Sequence, residues 1–289
     1  MAVVLTLVLN GLANSAAYFL MAAGLTLIFG LLRVINFAHG GFYVWGAYVG
    51  TFFYSFSHNF VVSMLGGLVV GALIGWLSEH WLVARVYGEG TQQLLITMGI
   101  LLVLTELVKL PFGPNPVDAV TPKLLSKSWM VHGVVIVEYQ VFTMVIGLLV
   151  YLILQTVLHK TRLGLVIRAG VRNPHLVSAR GVPIRRVFTA VFVAGSALAG
   201  FAGALAAPYF GSITPEMGMN MQLNAFIIVV LGGLGSLNGS LIGSLLIGVA
   251  TAVVSYYAPS LAMLVSVAVM AVVLMVRPHG LFGDKEAAA

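Results

Sequence analysis

Residues 223–257 read LNAFIIVVLGGLGSLNGSLIGSLLIGVATAVVSYY, 35 consecutive positions without an Asp, Glu, Lys or Arg. A membrane-spanning helix needs about 20 apolar residues, so this stretch is too long for one span and too apolar for a surface facing water. Gly232, Gly233, Gly235, Ser236, Asn238 and Gly239 interrupt it near the middle. Two readings stay open at this point. Either the segment crosses the membrane twice, or its first arm of about 12 residues is a re-entrant half-helix of the kind tolerated where broken backbone is buried in protein.

Outward from this stretch the texture hardly changes. Of 289 residues, 60% are hydrophobic and 8% charged, whereas soluble domains carry about 25% charged residues. There is too little polar material to cover a water-facing surface, so lipid is the solvent for most of the chain. A membrane β-barrel would alternate apolar and polar residues over segments of about 10; here the apolar runs are continuous. Runs near 20 residues place spans at 3–29, 40–56, 60–84, 93–110, 141–158, 188–210 and 260–276. With two crossings in 223–257 these make nine membrane segments, eight to ten depending on the broken stretch. The expected fold is all-α: a polytopic transmembrane helical bundle forming a single transmembrane domain over 1–289.

Lys and Arg set the orientation. Residues 159–187 hold Lys160, Arg162, Arg168, Arg172, Arg180, Arg185 and Arg186 with no acid, which makes this connection cytoplasmic by the positive-inside rule. Counting backwards puts the N-terminus outside, with Arg33 and Arg85 inside, and Lys109, Lys123 and Lys127 around an external loop at 111–138. Counting forwards, Arg277, Lys285 and the C-terminus are cytoplasmic if the broken stretch crosses twice. The net charge of +6 is therefore a topology signal, not one for nucleic acid. Residues 1–9 contain no Lys or Arg and apolarity continues to Phe29, so the first segment is expected to be a retained span and not a cleaved signal.

Motifs for chemistry are missing. Cysteine is absent, which excludes disulfides and thiolate sites. No P-loop, H-E-x-x-H or G-x-S-x-G occurs, and the seven His are scattered, so neither a catalytic nor a metal site is expected. The spans are nearly free of carboxylates, which ion-coupled carriers keep at depth. Glu79 lies beside Trp76, Trp81 and Arg85 as part of an interfacial belt, and Glu106 can pair with Lys109 on one helical face.

Small residues recur every four positions at Gly46 and Gly50, at Gly67, Gly71 and Gly75, at Ala199, Gly203 and Ala207, and at Gly239 and Gly243. Such stripes let helices approach closely, within the subunit or against another. The polar residues Asn10, Asn14, Thr26, Asn36, His39, Gln222 and Asn224 are the candidates for lining a path, interhelical hydrogen bonding being their other use. Physics alone reads 33–41 as an anchor at the cytoplasmic interface, packed through Gly40 and Gly41. Within 159–187, Leu163, Val166 and Ile167 recur at helical spacing and Pro174 and Gly181-Val182-Pro183 break the pattern. A short helix on the cytoplasmic face suits it, facing lipid or a partner.

Three groups of residues carry a resemblance. They are Gly24-Leu25-Thr26-Leu27-Ile28-Phe29-Gly30 running into Arg33-Val34-Ile35-Asn36-Phe37-Ala38-His39-Gly40, then Val230-Leu231-Gly232-Gly233-Leu234-Gly235-Ser236 with Gly239, and Arg277-Pro278-His279-Gly280-Leu281-Phe282-Gly283. In this order they resemble the LivH-type permease subunits of bacterial branched-chain amino acid ABC transporters. The resemblance implies a multi-pass protein of the bacterial inner membrane that works by alternating access. Its implied partners are a second, homologous permease, two cytoplasmic ATPases and a periplasmic substrate-binding protein, with the bilayer as solvent and no nucleic acid. It implies no cofactor of its own, ATP being bound by the partner subunits. It also matches 159–187 to the family's ATPase-coupling segment, with Arg168, Arg172, Asn173, Arg180, Gly181 and Val182 as the coupling residues. The family often has an acidic residue where Val171-Arg172-Asn173-Pro174 has none. A permease for urea, amides or another small polar solute is the nearest alternative; a self-contained channel or secondary transporter is the next.

Overall fold

The structure, a computed structural model, describes residues 2–33, 36–172, 177, 178 and 180–282. Asn173 of the coupling set, Val34, Ile35 and Gly283 of the quoted motifs, Pro174, Ala179 and Lys285 lie outside the described residues. Helices dominate: α1 Ala2–Leu32, α2 His39–Ser57, α3 Phe60–Trp81, α4 Gly90–Leu107, the single turn α5 Lys109–Phe112, α6 Glu138–Lys160, α7 Arg162–Arg172, α8 Ile184–Phe210, α9 Met217–Gly232, α10 Leu237–Tyr257 and α11 Ala262–Val276. Six segments, in α1, α3, α4, α6, α8 and α10, are long and apolar enough to cross a membrane by themselves, α4 together with α5. The 16 residues of α9 and the apolar part of α11 are shorter.

Glycine decides how these helices meet. A Cβ on Gly200 of α8 would run into the Gly67 carbonyl and Gly71 of α3, and one on Gly46 of α2 into Gly200. Gly203 lies equally close to the Tyr43 carbonyl of α2. The stripes read from the sequence thus pack within the subunit, backbone against backbone, where dispersion and not water release drives association. On the other side, α10 runs antiparallel to α1. Gly11 faces Val249, Gly248 faces Ser15, and Gly30 lies against Gly235. Helix α6 follows α1 in parallel, with Gly147 opposite Ala16.

These pairings sort the connections to two ends. At one end the hairpin of β2 (Ser128–Val131) with β3 (Val134–Val137) closes through a two-residue turn, His132-Gly133, both at positive φ, as the type I′ geometry demands. Another pair, β1 (Val117–Asp118) with β4 (Ser212–Ile213), ties the 111–138 loop to the chain leaving α8. Among the described residues the bundle is therefore all-α except for these two small sheets, which apolar periodicity did not disclose. At the opposite end lie the α9–α10 turn, the start of α8 and residues 277–282. There Leu281 and Phe282 donate to the Leu231 and Gly232 carbonyls at 2.9 and 3.0 Å, satisfying acceptors that the end of α9 leaves free. Gly280, at φ +79, has Gly233 and the Val230 carbonyl where a Cβ would stand, which is the physical reason for the Arg-Pro-His-Gly-Leu-Phe motif.

Candidate translocation path and coupling surface

Asn10 and Asn14, one helical turn apart on α1, open onto a cavity of about 530 Å³ with Tyr139 and Gln140 of α6, Tyr209 of α8 and Tyr256 of α10. Gln140 Nε2 donates to Asn10 Oδ1 at 3.1 Å, and the Tyr209 hydroxyl to Asn14 Oδ1 at 2.6 Å. The cavity sits at the end carrying the 111–138 loop, from which Thr121 also lines it.

Thr26 belongs to a second cavity, of about 360 Å³, at the other end of α1. Its lining includes Arg33, Gln155 and His159 of α6, Arg168 of α7, and Ser236 and Asn238 at the start of α10. Thr26 Oγ1 donates to the Ala22 carbonyl at 2.8 Å and lies 2.6 Å from Ser240 Oγ. Ser236 caps α10 by accepting from Gly239 N–H at 3.1 Å, the usual economy of a Ser N-cap.

Asn36, His39 and Gln222 form a third group, away from both cavities. The three are almost fully buried, at 1%, 0% and 1% exposure, which corrects the reading of 33–41 as an interface anchor. Helix α2 starts part-way along α1, not at its end. His39 Nε2 donates to the Met21 carbonyl at 3.0 Å, and the ring occupies the space a Cβ on Gly24 would need. Gln222 Nε2 donates to the Asn36 carbonyl at 3.3 Å, while Asn36 Oδ1 accepts from Ala38 N–H at 3.1 Å. Gly40 and Gly218 sit face to face because neither has a side chain to keep α2 from α9. Asn224 is half-buried and makes no side-chain hydrogen bond among the described residues.

The basic connection folds back sharply on α6. Gly164 has the Val157 and Leu158 carbonyls where a Cβ would be, Thr161 Oγ1 accepts from Gly164 N–H at 3.1 Å, and the Arg168 guanidinium donates to the Leu158 carbonyl. Helix α7 is amphipathic, and its Leu163 and Leu165 are left 68% and 61% exposed, with nothing among the described residues covering them. Further on, Arg180 and Gly181 are exposed in a turn in which Gly181 N–H donates to the Ser178 carbonyl at 2.9 Å. Gly181 holds φ +82 with open space around it, and Val182 is half-buried.

Two separate cavities at the two ends of α1 and the α7 arm beside one of them make up the geometry of these candidate residues. The model of the family described as branched-chain amino acid transport system, permease component, matches residues 7–274. The chain belongs to this permease family. It is 30% identical to the high-affinity branched-chain amino acid transport system permease protein LivH of Salmonella typhimurium, over 96% of this chain and 94% of that protein. With the corresponding permease protein BraD of Pseudomonas aeruginosa it shares 28% over 96% and 95%. With the probable branched-chain amino acid transport permease protein LivH of Methanocaldococcus jannaschii it shares 28% over 91% and 88%. No solved structure matches.

The permease also holds features that sequence reasoning did not find. Glu79 is 1% exposed and accepts from the Tyr87 hydroxyl at 2.7 Å and from Thr189 Oγ1 at 2.9 Å, so it bolts the 82–89 loop to the start of α8 and does not belong to an exposed belt. Burial, with the hydrogen bond to Glu79 second, pushes the Tyr87 hydroxyl well above its ordinary range and keeps it a donor. The Glu106–Lys109 pair forms at 2.8 Å, and Glu216 joins it at 3.3 Å. Phe19 and Tyr151, whose rings meet edge to face at 5.9 Å, carried no sequence signal beyond being aromatics among many.

Proposed function

We propose that the protein is the membrane-spanning permease subunit of an ATP-binding cassette importer. It carries branched-chain or other hydrophobic amino acids across the bacterial inner membrane by alternating access driven by partner ATPases. The observation that carries this reading is the likeness, over nearly the whole chain, to permeases named for branched-chain amino acid transport.

The rest of the reading follows from charge and placement. Nine segments cross, the N-terminus is outside and the C-terminus cytoplasmic. Support comes from the gathering of Arg33, Arg85, Arg168, Arg180, Arg185 and Arg277 at one end, against Lys109, Lys123 and Lys127 at the other. The 111–138 loop then meets a periplasmic substrate-binding protein. On the cytoplasmic side α7 and the turn through Gly181 dock two ATPases, and a second, homologous permease completes the pair. ATP is bound by those partners; this chain is no enzyme and supplies walls, a path and the coupling contacts.

Uptake of radiolabelled leucine tests the reading. Cells with the partner genes are expected to lose uptake when this gene is deleted and regain it on complementation, with isoleucine and valine competing. Competition by urea or an amide but not by branched-chain amino acids would replace the substrate, and uptake by the purified chain alone in liposomes would replace the ATP-driven class. For coupling, Gly181→Trp, which has open space around it but strains the turn at φ +82, should still reach the membrane and lower uptake at least tenfold.

A further inference from the structure

The end of the bundle that gathers the arginines carries a cleft of about 300 Å³, apart from both cavities on α1 and of the volume of a small-molecule site. Arg85 from the 82–89 loop and Arg185 and Arg186 from the first turn of α8 line it, with His80 at the end of α3. None of the three arginines has a carboxylate within 4 Å among the described residues, the ion pairs there lying around Lys109. The one acid in the lining, Glu79, gives its Oε1 to Tyr87 and Thr189, while its Oε2 is buried without a donor. Three guanidinium groups against one carboxylate leave the cleft positive, and the N-terminus of the 27-residue α8 adds to that potential.

This cleft runs into an apolar groove, with which it shares Arg186 and Thr189. The floor of the groove is the stripe Ala190, Val193, Ala194 and Ala197, which follows Arg186 along one face of α8. Its wall is Trp76 of α3, whose ring stacks on that of His80 at 5.6 Å, so the walls of groove and cleft are continuous. Gly75, next to Trp76, packs directly on Ser196 of α8, and the alanines beyond leave a trough that larger side chains would fill. From Arg186 to Ala197 the trough extends about 16 Å along the helix axis, half the hydrocarbon thickness of a bilayer. We infer that the cleft and groove together hold one anionic glycerophospholipid, its phosphate on Arg85, Arg185 and Arg186 and an acyl chain along α8. A phosphatidylglycerol headgroup fits best, because its hydroxyls are donors of the kind that Glu79 Oε2 lacks.

The pairing of a basic cleft with an apolar trough selects the lipid over other occupants. A soluble phosphate compound would fill the cleft and leave the groove idle. A helix of a partner subunit would fill the groove and cover the three guanidinium groups without supplying their counter-charge, at a desolvation cost. An anionic lipid meets both halves at once, with fork-shaped donors on its phosphate oxygens and apolar contact beyond. Basic pockets between membrane helices recognise anionic headgroups in this way, and Trp76 stands at the level where indoles mark the membrane interface. The bound lipid would fasten the end of α3 to the start of α8, four residues after Gly181. The inference goes beyond the transport reading: it needs only that α3 and α8 lie in a membrane, whichever solute crosses.

Native mass spectrometry of the full chain, purified with its co-expressed partners and stripped of lipid in detergent, tests the site. Phosphatidylglycerol is added back and compared with phosphatidylcholine of the same acyl chains, and inorganic phosphate serves as competitor. A single phosphatidylglycerol per chain should be retained, about tenfold more than phosphatidylcholine, and inorganic phosphate should not displace it. Replacing both arginines of α8, Arg185→Gln with Arg186→Gln, should lower retention about tenfold, whereas Arg277→Gln at the same end leaves it unchanged. Ala194→Trp, which fills the trough with every charge in place, should lower retention as well. Arg85→Gln replaces the double variant if that does not accumulate. Displacement by inorganic phosphate would make the cleft a site for a soluble anion, and an equal loss in Arg277→Gln would reduce binding to general surface charge. Retention that ignores Ala194→Trp would take the acyl chain out of the groove, and a complex that retains no phosphatidylglycerol would leave the groove to a partner subunit. Each of these results overturns the lipid site. Leucine uptake is not part of the readout, so a failure of the transport reading and a failure of this site are told apart.

Discussion

Two regions of the permease are assembled on opposite physical terms. In the α2–α3–α8 block the backbones themselves touch: Gly46 against Gly200, Gly200 against Gly67, Gly203 against Tyr43. Around α6 the contacts are made by side chains, with a pair of cavities left beside it. Backbone contact leaves no atom that can rotate out of the way, so the block behaves as one body. Side-chain contact leaves rotamers and space, so α6 is held less stiffly than the block. In lipid, where apolar burial does not hold helices together, this choice between small and large residues is the main way a sequence sets which parts are stiff.

Substitutions can break or sharpen that contrast. The largest effect is expected for Gly200→Leu, whose Cβ would already overlap the Gly67 carbonyl. Separating α3 from α8 should cost more than about 3 kcal/mol and abolish monodisperse protein on size exclusion in detergent; a normal elution profile would show that the block is not rigid. Gly46→Ala adds only a methyl at the same seam, and a loss of about 1–3 kcal/mol is expected, read as a lower Tm in the same detergent. Tyr139→Phe tests the other region. Its hydroxyl, donating to the Leu205 carbonyl at 2.6 Å, bolts the start of α6 to α8, and its removal should lower stability by about 1 kcal/mol. A loss as large as that of Gly46→Ala would mean that α6 is held as firmly as the block. The smallest change is expected for Gly99→Ala on α4, where nothing stands within 4 Å of the new methyl. A gain of about 0.5 kcal/mol follows from reduced chain freedom, and a lower Tm would reveal a partner packed on that face.

Legibility in the sequence followed the range of the interactions. Helix positions, the four-residue stripes and the Glu106–Lys109 pair are local or periodic, and they stand in the structure where the residues place them. The polar candidates were recognisable as polar, but their grouping was not. Asn10 and Asn14 share a cavity because they are one turn apart, whereas Thr26 faces another cavity, and Asn36 and His39 at the entry to α2 meet Gln222, which is 186 residues on from Asn36. Which of these meet depends on α2 starting beside Gly24, a fact set by Gly24, Gly40 and Gly218 together. Glu79 was misplaced for the same reason: its partners Tyr87 and Thr189 are 8 and 110 residues away.

By itself the sequence determined the solvent, the helical class, the helix limits and the family, because hydropathy, periodicity and motif order are properties of the chain read in one dimension. Only the tertiary structure decided which glycines become contacts and which polar groups share a cavity. Those outcomes depend on side chains brought together from helices far apart in sequence, and the close approach that brings them together exists only where several small residues coincide in space.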